Sequence, residues 1–233
     1  MIAMASLETR ERIIATAARL FAQYGYHGVS LRQIAKETGV QASLAQYHFK
    51  NKESVFRAVF ERCILPINHN RINKLDQLTR HEAEGREISL DEIVRAFVEP
   101  TVLVARERGT SGAFYAQLIS QITNDPQEHA RRISHEFTDP IARHTMAAMK
   151  SFFGESDQEI LTWCYLFGVS AMLGAISRTG RARLLSGGSC DPDDTERVLS
   201  ILVPFIAGGM RAVLAAQPKA PGVAKSKRRQ TKK

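Results

Sequence analysis

Apolar residues recur along this chain at three- and four-residue spacing, and no stretch alternates as a half-buried strand would. The pattern predicts an all-α protein. A first helix runs from about Thr9 to Tyr24, with Ile13, Ile14, Ala17, Leu20, Phe21 and Tyr24 on one stripe and Gly25 closing it. Two short helices follow, Leu31 to Glu37 and Ala42 to about Tyr47. Ser30 stands where an N-cap belongs, and Gly39 stands where the backbone must take a positive φ to end a helix. A fourth helix opens near Lys52 on Val55, Phe56, Val59, Phe60, Cys63, Ile64 and Ile67, and Pro66 predicts a kink or break within it. The spacing resumes through Ile72, Leu75 and Leu78, and His81 to Glu87 reads as a loop.

Farther on, Ser89-Leu90-Asp91-Glu92 and Ser156-Asp157-Gln158-Glu159 have the form of capping boxes, and Asp125-Pro126-Gln127-Glu128 is another start signal. Pro100 interrupts the helix after Ser89, and Asp139-Pro140 kinks the one that runs to about Phe153. Phe114 to Ile122 forms a short helix. The last two long helices are expected over about 157–185 and 192–215. No repeat of 20–50 residues is present.

Two short helices around a glycine corner make a helix-turn-helix, in which the second helix enters the major groove and the first crosses the backbone. Here the second helix offers neutral donors and acceptors, Gln41, Ser43, Gln46, Tyr47 and His48, suited to base edges. Positive charge lies at the margins, on Arg32, Lys36, Lys50 and Lys52, where it positions a duplex without reading it. Arg10 and Arg12 are further candidates for phosphate. The full DNA-contacting set is Ser30, Arg32, Gln33, Gln41, Ala42, Ser43, Leu44, Gln46, Tyr47, His48 and Lys52.

Charge sharpens this division. Residues 1–60 hold eight Lys/Arg against four Asp/Glu, residues 61–217 hold seventeen against twenty, and residues 218–233 hold seven against none. The reader and the tail are positive and the body between is slightly acidic, as expected when one end meets phosphate. The units are 1–60, a DNA-binding domain; 61–217, a regulatory and dimerisation domain; and 218–233, a Pro-, Lys- and Arg-rich tail expected to be disordered. Such a tail can solubilise, or can hold DNA loosely and salt-sensitively. A non-specific nucleic-acid-binding protein acting through it is the alternative function.

Cys63, Cys164 and Cys190 show no CxxC spacing and point to a reducing compartment. The first dozen residues are too short and charged for a signal peptide, so the expected location is cytoplasmic. Ile160 to Ser177 carries no charge and approaches the length of a spanning helix, but Ser, Thr and Gly dilute it and no other segment of the kind is read. A buried helix facing an interface has the same pattern, so no membrane is expected. No cofactor or metal ligand set is read: HExxH, GxSxG, Walker and GxGxxG motifs are absent, and His129 and His135 are six apart, which excludes the common enzyme classes.

One helix-turn-helix reads only a few base pairs, so useful specificity calls for a homodimer on double-stranded operator DNA. The last two long helices are apolar on too many faces for one monomer core, and Gly168, Gly174, Gly208 and Gly209 permit close approach of a second copy.

The stretch GYHGVSLRQIAKETGVQASLAQYHFKNKESVF, within about Thr9 to Phe60, resembles the DNA-binding domain of the TetR family of bacterial transcriptional regulators. The likeness rests on Gly25, Gly28, Ile34-Ala35, Gly39-Val40, Tyr47-His48-Phe49 and Asn51-Lys52-Glu53. Gln41, Ser43 and Gln46 depart from the usual family residues, so no operator sequence carries over. The resemblance implies a repressor whose body encloses a pocket for a small apolar or amphipathic effector. Candidate pocket residues are Phe97, Phe114, Tyr115, Leu118, Trp163 and Phe167, with Gln117 and Gln121 to orient a polar head. FYAQLIS, MLGAISRTGRARLL and LVPFIAGGMRA are similar to the fatty-acid-responsive TetR-type repressors of pseudomonads, which implies a long-chain fatty acid or acyl-CoA as effector.

Overall fold

The structure is a computed structural model that describes residues 2–106, 114, 116–119, 122, 128–153, 158–177 and 179–217. Among the described residues the long elements are all helical and no strand occurs. They are α1 (Ile2–Tyr24), α2 (Leu31–Thr38), α3 (Ala42–His48), α4 (Lys52–Ala83), α5 (Leu90–Arg106), α6 (Glu128–Phe153), α7 (Gln158–Ile176), α8 (Arg181–Leu185) and α9 (Thr195–Ala216).

The first three helices close on the start of α4. Ile13, Ala17, Leu20 and Phe21 of α1 are buried against α2 and α4, and Tyr24, expected on the same stripe, is exposed. Phe56 receives the edges of Phe21 and Tyr26, with centroids 5.2 and 4.7 Å away. Ser30 caps α2 by accepting from the Gln33 N–H at 3.1 Å. Gly39 ends it at φ 74°, and its N–H and that of Val40 donate to Lys36 O and Ala35 O. That backbone region is open to glycine at no steric cost, which fixes the corner between α2 and α3. Asn51 and Ser54 exchange side-chain and backbone bonds in a capping box at the head of α4.

The body packs α4 against α5 and α6, α5 against α7 and α9, and α7 against α9. One apolar cluster runs from Ile13 through Phe60, Phe97 and Met149 to Met210. Charge ties the same helices together at the rim. Lys74 meets Glu99 at 2.8 Å, Arg95 meets Glu99 at 3.1 Å and Glu196 at 3.3 Å, and Arg211 meets Asp91.

Several expected boundaries move. The helices containing Pro66, Pro100 and Pro140 run without a break, and the interruption expected at Pro100 does not occur: Pro100 is buried, and packing on either side outweighs the lost backbone bond. The 60/61 division therefore falls within α4. The helix also extends to Ala83, so the loop begins at Glu84. The helix expected over 157–185 ends at Ile176, and Gly180, at φ 72°, separates α8 from it. The last helix starts at Thr195, capped by Asp194, rather than at Pro192. The start signal at 125–127 and the tail 218–233 lie outside the described residues.

Candidate nucleic-acid interface and effector cavity

α3 turns one small residue inward, Ala45, fully buried, with Phe49 buried just past its end. Everything else it carries faces out. Gln41, Ala42, Ser43, Leu44 and Gln46 are exposed, Tyr47 is 80% exposed, and half-buried His48 meets the Tyr47 ring edge-on at 5.4 Å. Ser30 and Arg32 are exposed at the start of α2 and Gln33 is half-buried. Most of the expected contact residues on α2 and α3 are thus open to solvent, on two helices joined by a capped corner.

The basic residues divide into two kinds. Arg32, Lys36 and Lys50 are exposed. Lys52 donates to Tyr26 O at 3.1 Å and lies 4.3 Å over the Tyr26 ring, and its partial burial lowers its pKa. Arg12 donates to Thr38 O at 2.9 Å, so it satisfies the C-terminal end of α2, and Arg10 lies 5.3 Å over the Phe49 ring. These two hold α1 against the helix-turn-helix.

Between α4, α5, α6 and α7 lies a cavity of about 380 Å³, within the range of small-molecule sites. Its walls are mostly apolar: Ile64, Phe97, Ile122, Ile141, Met146, Val169, Met172 and Leu173 among them. Of the residues expected there, Phe97 lines it. Leu118 is buried in the adjoining core, Phe114 packs half-buried against that core and Gln117 is exposed. Trp163 and Phe167 are a correction. They are 52% and 62% exposed, stacked on each other at 5.7 Å, on the outer face of α7. α7 is apolar all round, so hydrophobicity alone cannot say which face turns inward; Thr162, Tyr165, Val169 and Met172 do. Tyr115 and Gln121 lie outside the described residues.

The sequence reading missed Arg71. Its side chain lines the cavity, is 4% exposed, and donates to Phe97 O at 2.7 Å and to Thr101 Oγ1, with Asn68 Oδ1 at 3.5 Å. The guanidinium also lies 5.1 Å over the Phe97 ring. The signal was present: Phe60, Ile64, Ile67, Arg71 and Leu75 follow one helical stripe, and a cation on a core stripe marks a buried polar site.

The profile described as "Bacterial regulatory proteins, tetR family" matches residues 13–59, and that described as "Tetracyclin repressor-like, C-terminal domain" matches residues 95–209. The chain belongs to the TetR family. It is 34% identical over 102 residues to the HTH-type transcriptional regulator AcrR of Shigella flexneri, which covers 43% of this chain and 45% of that protein. The match thus spans under half of that relative. The fatty acid degradation regulator FadR from Bacillus halodurans superimposes with a TM-score of 0.56 at 14% identity, covering 87% of this chain and 96% of that one. AibR, solved in complex with isovaleryl coenzyme A and operator DNA, does so with a TM-score of 0.57 at 15% identity, covering 84% and 97%.

In this TetR-family chain α7 and α9 also turn large apolar side chains outward: Trp163 and Phe167 on α7 and Ile201 and Phe205 on α9 are exposed, while Leu166 lines the cavity. A Cβ built on Gly174, Gly208 or Gly209 meets nothing within 4 Å, so these glycines leave room for an approaching backbone. Gly168 differs: its Cβ would sit 3.4 Å from Ile206 and 3.7 Å from Phe97, so it serves packing within the chain. Both α7 and α9 are long and apolar enough to cross a bilayer, which corrects the expectation that only one segment is. In the fold they pack on α5 and on each other.

Proposed function

We propose that the protein is a sequence-specific DNA-binding transcriptional regulator, a homodimeric repressor that leaves a near-palindromic operator when a small apolar or amphipathic effector binds. The observation that carries the reading is the face of α3, where Tyr47 stands most exposed among Gln41, Ser43 and Gln46 on a helix fixed from behind. Residues 1–60 serve as the reader, and 61–217 as the regulatory and dimerisation body. The apolar faces of α7 and α9 supply the two-fold contact. The cavity among α4 to α7 holds the effector, for which a long-chain fatty acid or acyl-CoA is the leading class. Its apolar walls support that class, as do two proteins of similar fold, one named for fatty acid degradation and one solved with an acyl coenzyme A. The protein acts by binding rather than turnover, in the cytoplasm and away from membranes.

The test is a mobility shift of the full chain on its own upstream DNA with excess unrelated competitor. Retention of one fragment against competitor supports the reading. The second reading, a non-specific binder acting through the seven Lys/Arg of 218–233, requires retention of any DNA, lost at modest salt and on removal of those residues.

A further inference from the structure

The polar groups of the cavity divide by depth. At its inner end Arg71, Thr101 and Ser134 are buried. At its mouth His135, Asp139 and Arg143 are exposed, with Arg143 and Asp139 3.8 Å apart. Half-buried Arg131, Thr138 and Thr162 stand between, and the rest of the wall is aliphatic and aromatic. We propose that the effector is a free carboxylic acid with an apolar chain, and that it enters head first, placing its carboxylate against Arg71. This rests on the reading of the cavity as the effector site.

Three features support this orientation. Arg71 is held in a fixed pose by Phe97 O, Asn68 Oδ1 and Thr101 Oγ1, with Met172 Sδ 4.0 Å from Nη2, so it offers an entering carboxylate a fixed, buried positive charge. A ligand entering tail first would lay methylene groups against that buried cation and leave its own charge among Arg131, Asp139 and Arg143, where water screens it. Finally, about 380 Å³ is the room of roughly a dozen water-sized groups at ~30 Å³ each, enough for a chain but not for a coenzyme A moiety. A thioester, whose bulky end stays outside, can enter only tail first.

The experiment uses the full chain on its upstream DNA. Operator release and thermal shift are measured with octanoate, dodecanoate and hexadecanoate, and with the methyl ester, alcohol and coenzyme A thioester of the dodecyl chain, all below micelle formation. The acid is expected to act at about 10- to 100-fold lower concentration than the ester or alcohol, the worth of one charge-assisted contact. Arg71→Gln is expected to erase that gap while leaving the weak effect of the alcohol in place. Should Arg71→Gln fail to fold, the head-group series on the unaltered protein decides. An ester, alcohol or thioester as effective as the acid, or an acid preference that survives Arg71→Gln, overturns the head-first placement and leaves the effector cavity standing. If no compound of any head group binds or releases DNA, the effector reading itself falls, and this proposal with it.

Discussion

α3 and α7 both hold aromatic rings out to solvent, in opposite company. On α3 the ring is Tyr47, flanked by Gln41, Ser43 and Gln46. On α7 the rings are Trp163 and Phe167, stacked together, and the neighbouring α9 exposes Ile201 and Phe205. A polar surround suits an aqueous groove edged with donors and acceptors, where each contact substitutes for water. A wholly apolar surround has no such use, and lowers its free energy by meeting another apolar surface. Exposure alone therefore says little, and the neighbours of an exposed ring say what it waits for.

The comparison breaks most visibly at Phe205. Phe205→Glu places a charge in the centre of the apolar face. Leaving it unpaired in a contact costs about 3–5 kcal/mol, so light scattering at micromolar concentration should find monomers and operator affinity should fall with them. A protein that stays dimeric would show that α7 and α9 face something else. Changes on α3 should act on DNA alone. Gln46→Ala or Tyr47→Ala is expected to weaken operator binding by about 1–3 kcal/mol per contact, with the dimer and bulk-DNA binding unchanged. Equal loss on both kinds of DNA would argue against base reading there.

Away from both faces, Glu99→Gln should affect stability only. Burial raises the Glu99 pKa, but the hydrogen bond and charge of Lys74, with the charge of Arg95, outweigh it, and the net shift is downward. A carboxylate with a lowered folded pKa stabilises at pH above its unfolded value and loses that contribution as pH falls through the folded value. Thermal melts should thus show the native chain ahead of Glu99→Gln at neutral pH by about 1–2 kcal/mol, discounted for the half-exposed lysine. The gap should close below about pH 4.

How much of this was legible in the sequence depended on whether the signal was local. Ser30, Gly39 and Ser89 announce helix ends through bonds to backbone a few residues away, and all three act at or next to the ends where they were read. Pro100 misled because its local penalty was weighed without the packing around it. Pro100 is itself buried within an unbroken α5. The inward face of α7 was not legible at all, since a helix with apolar residues on every side carries no amphipathic direction. Arg71 was legible only as an irregularity in a stripe, and its bonds to Phe97 and Thr101, some 26 and 30 residues on, belong to the tertiary structure.

α3 is seven residues long, and its N-cap Gln41 makes no side-chain cap bond. A helix of two turns does not persist in water by itself. Its order is on loan from Ala45, Phe49 and the Gly39 corner, so on warming this segment should exchange its amide protons before the body opens. The surface proposed to meet DNA would then be the first to melt, and temperature itself would act as a signal that loosens the protein from its site.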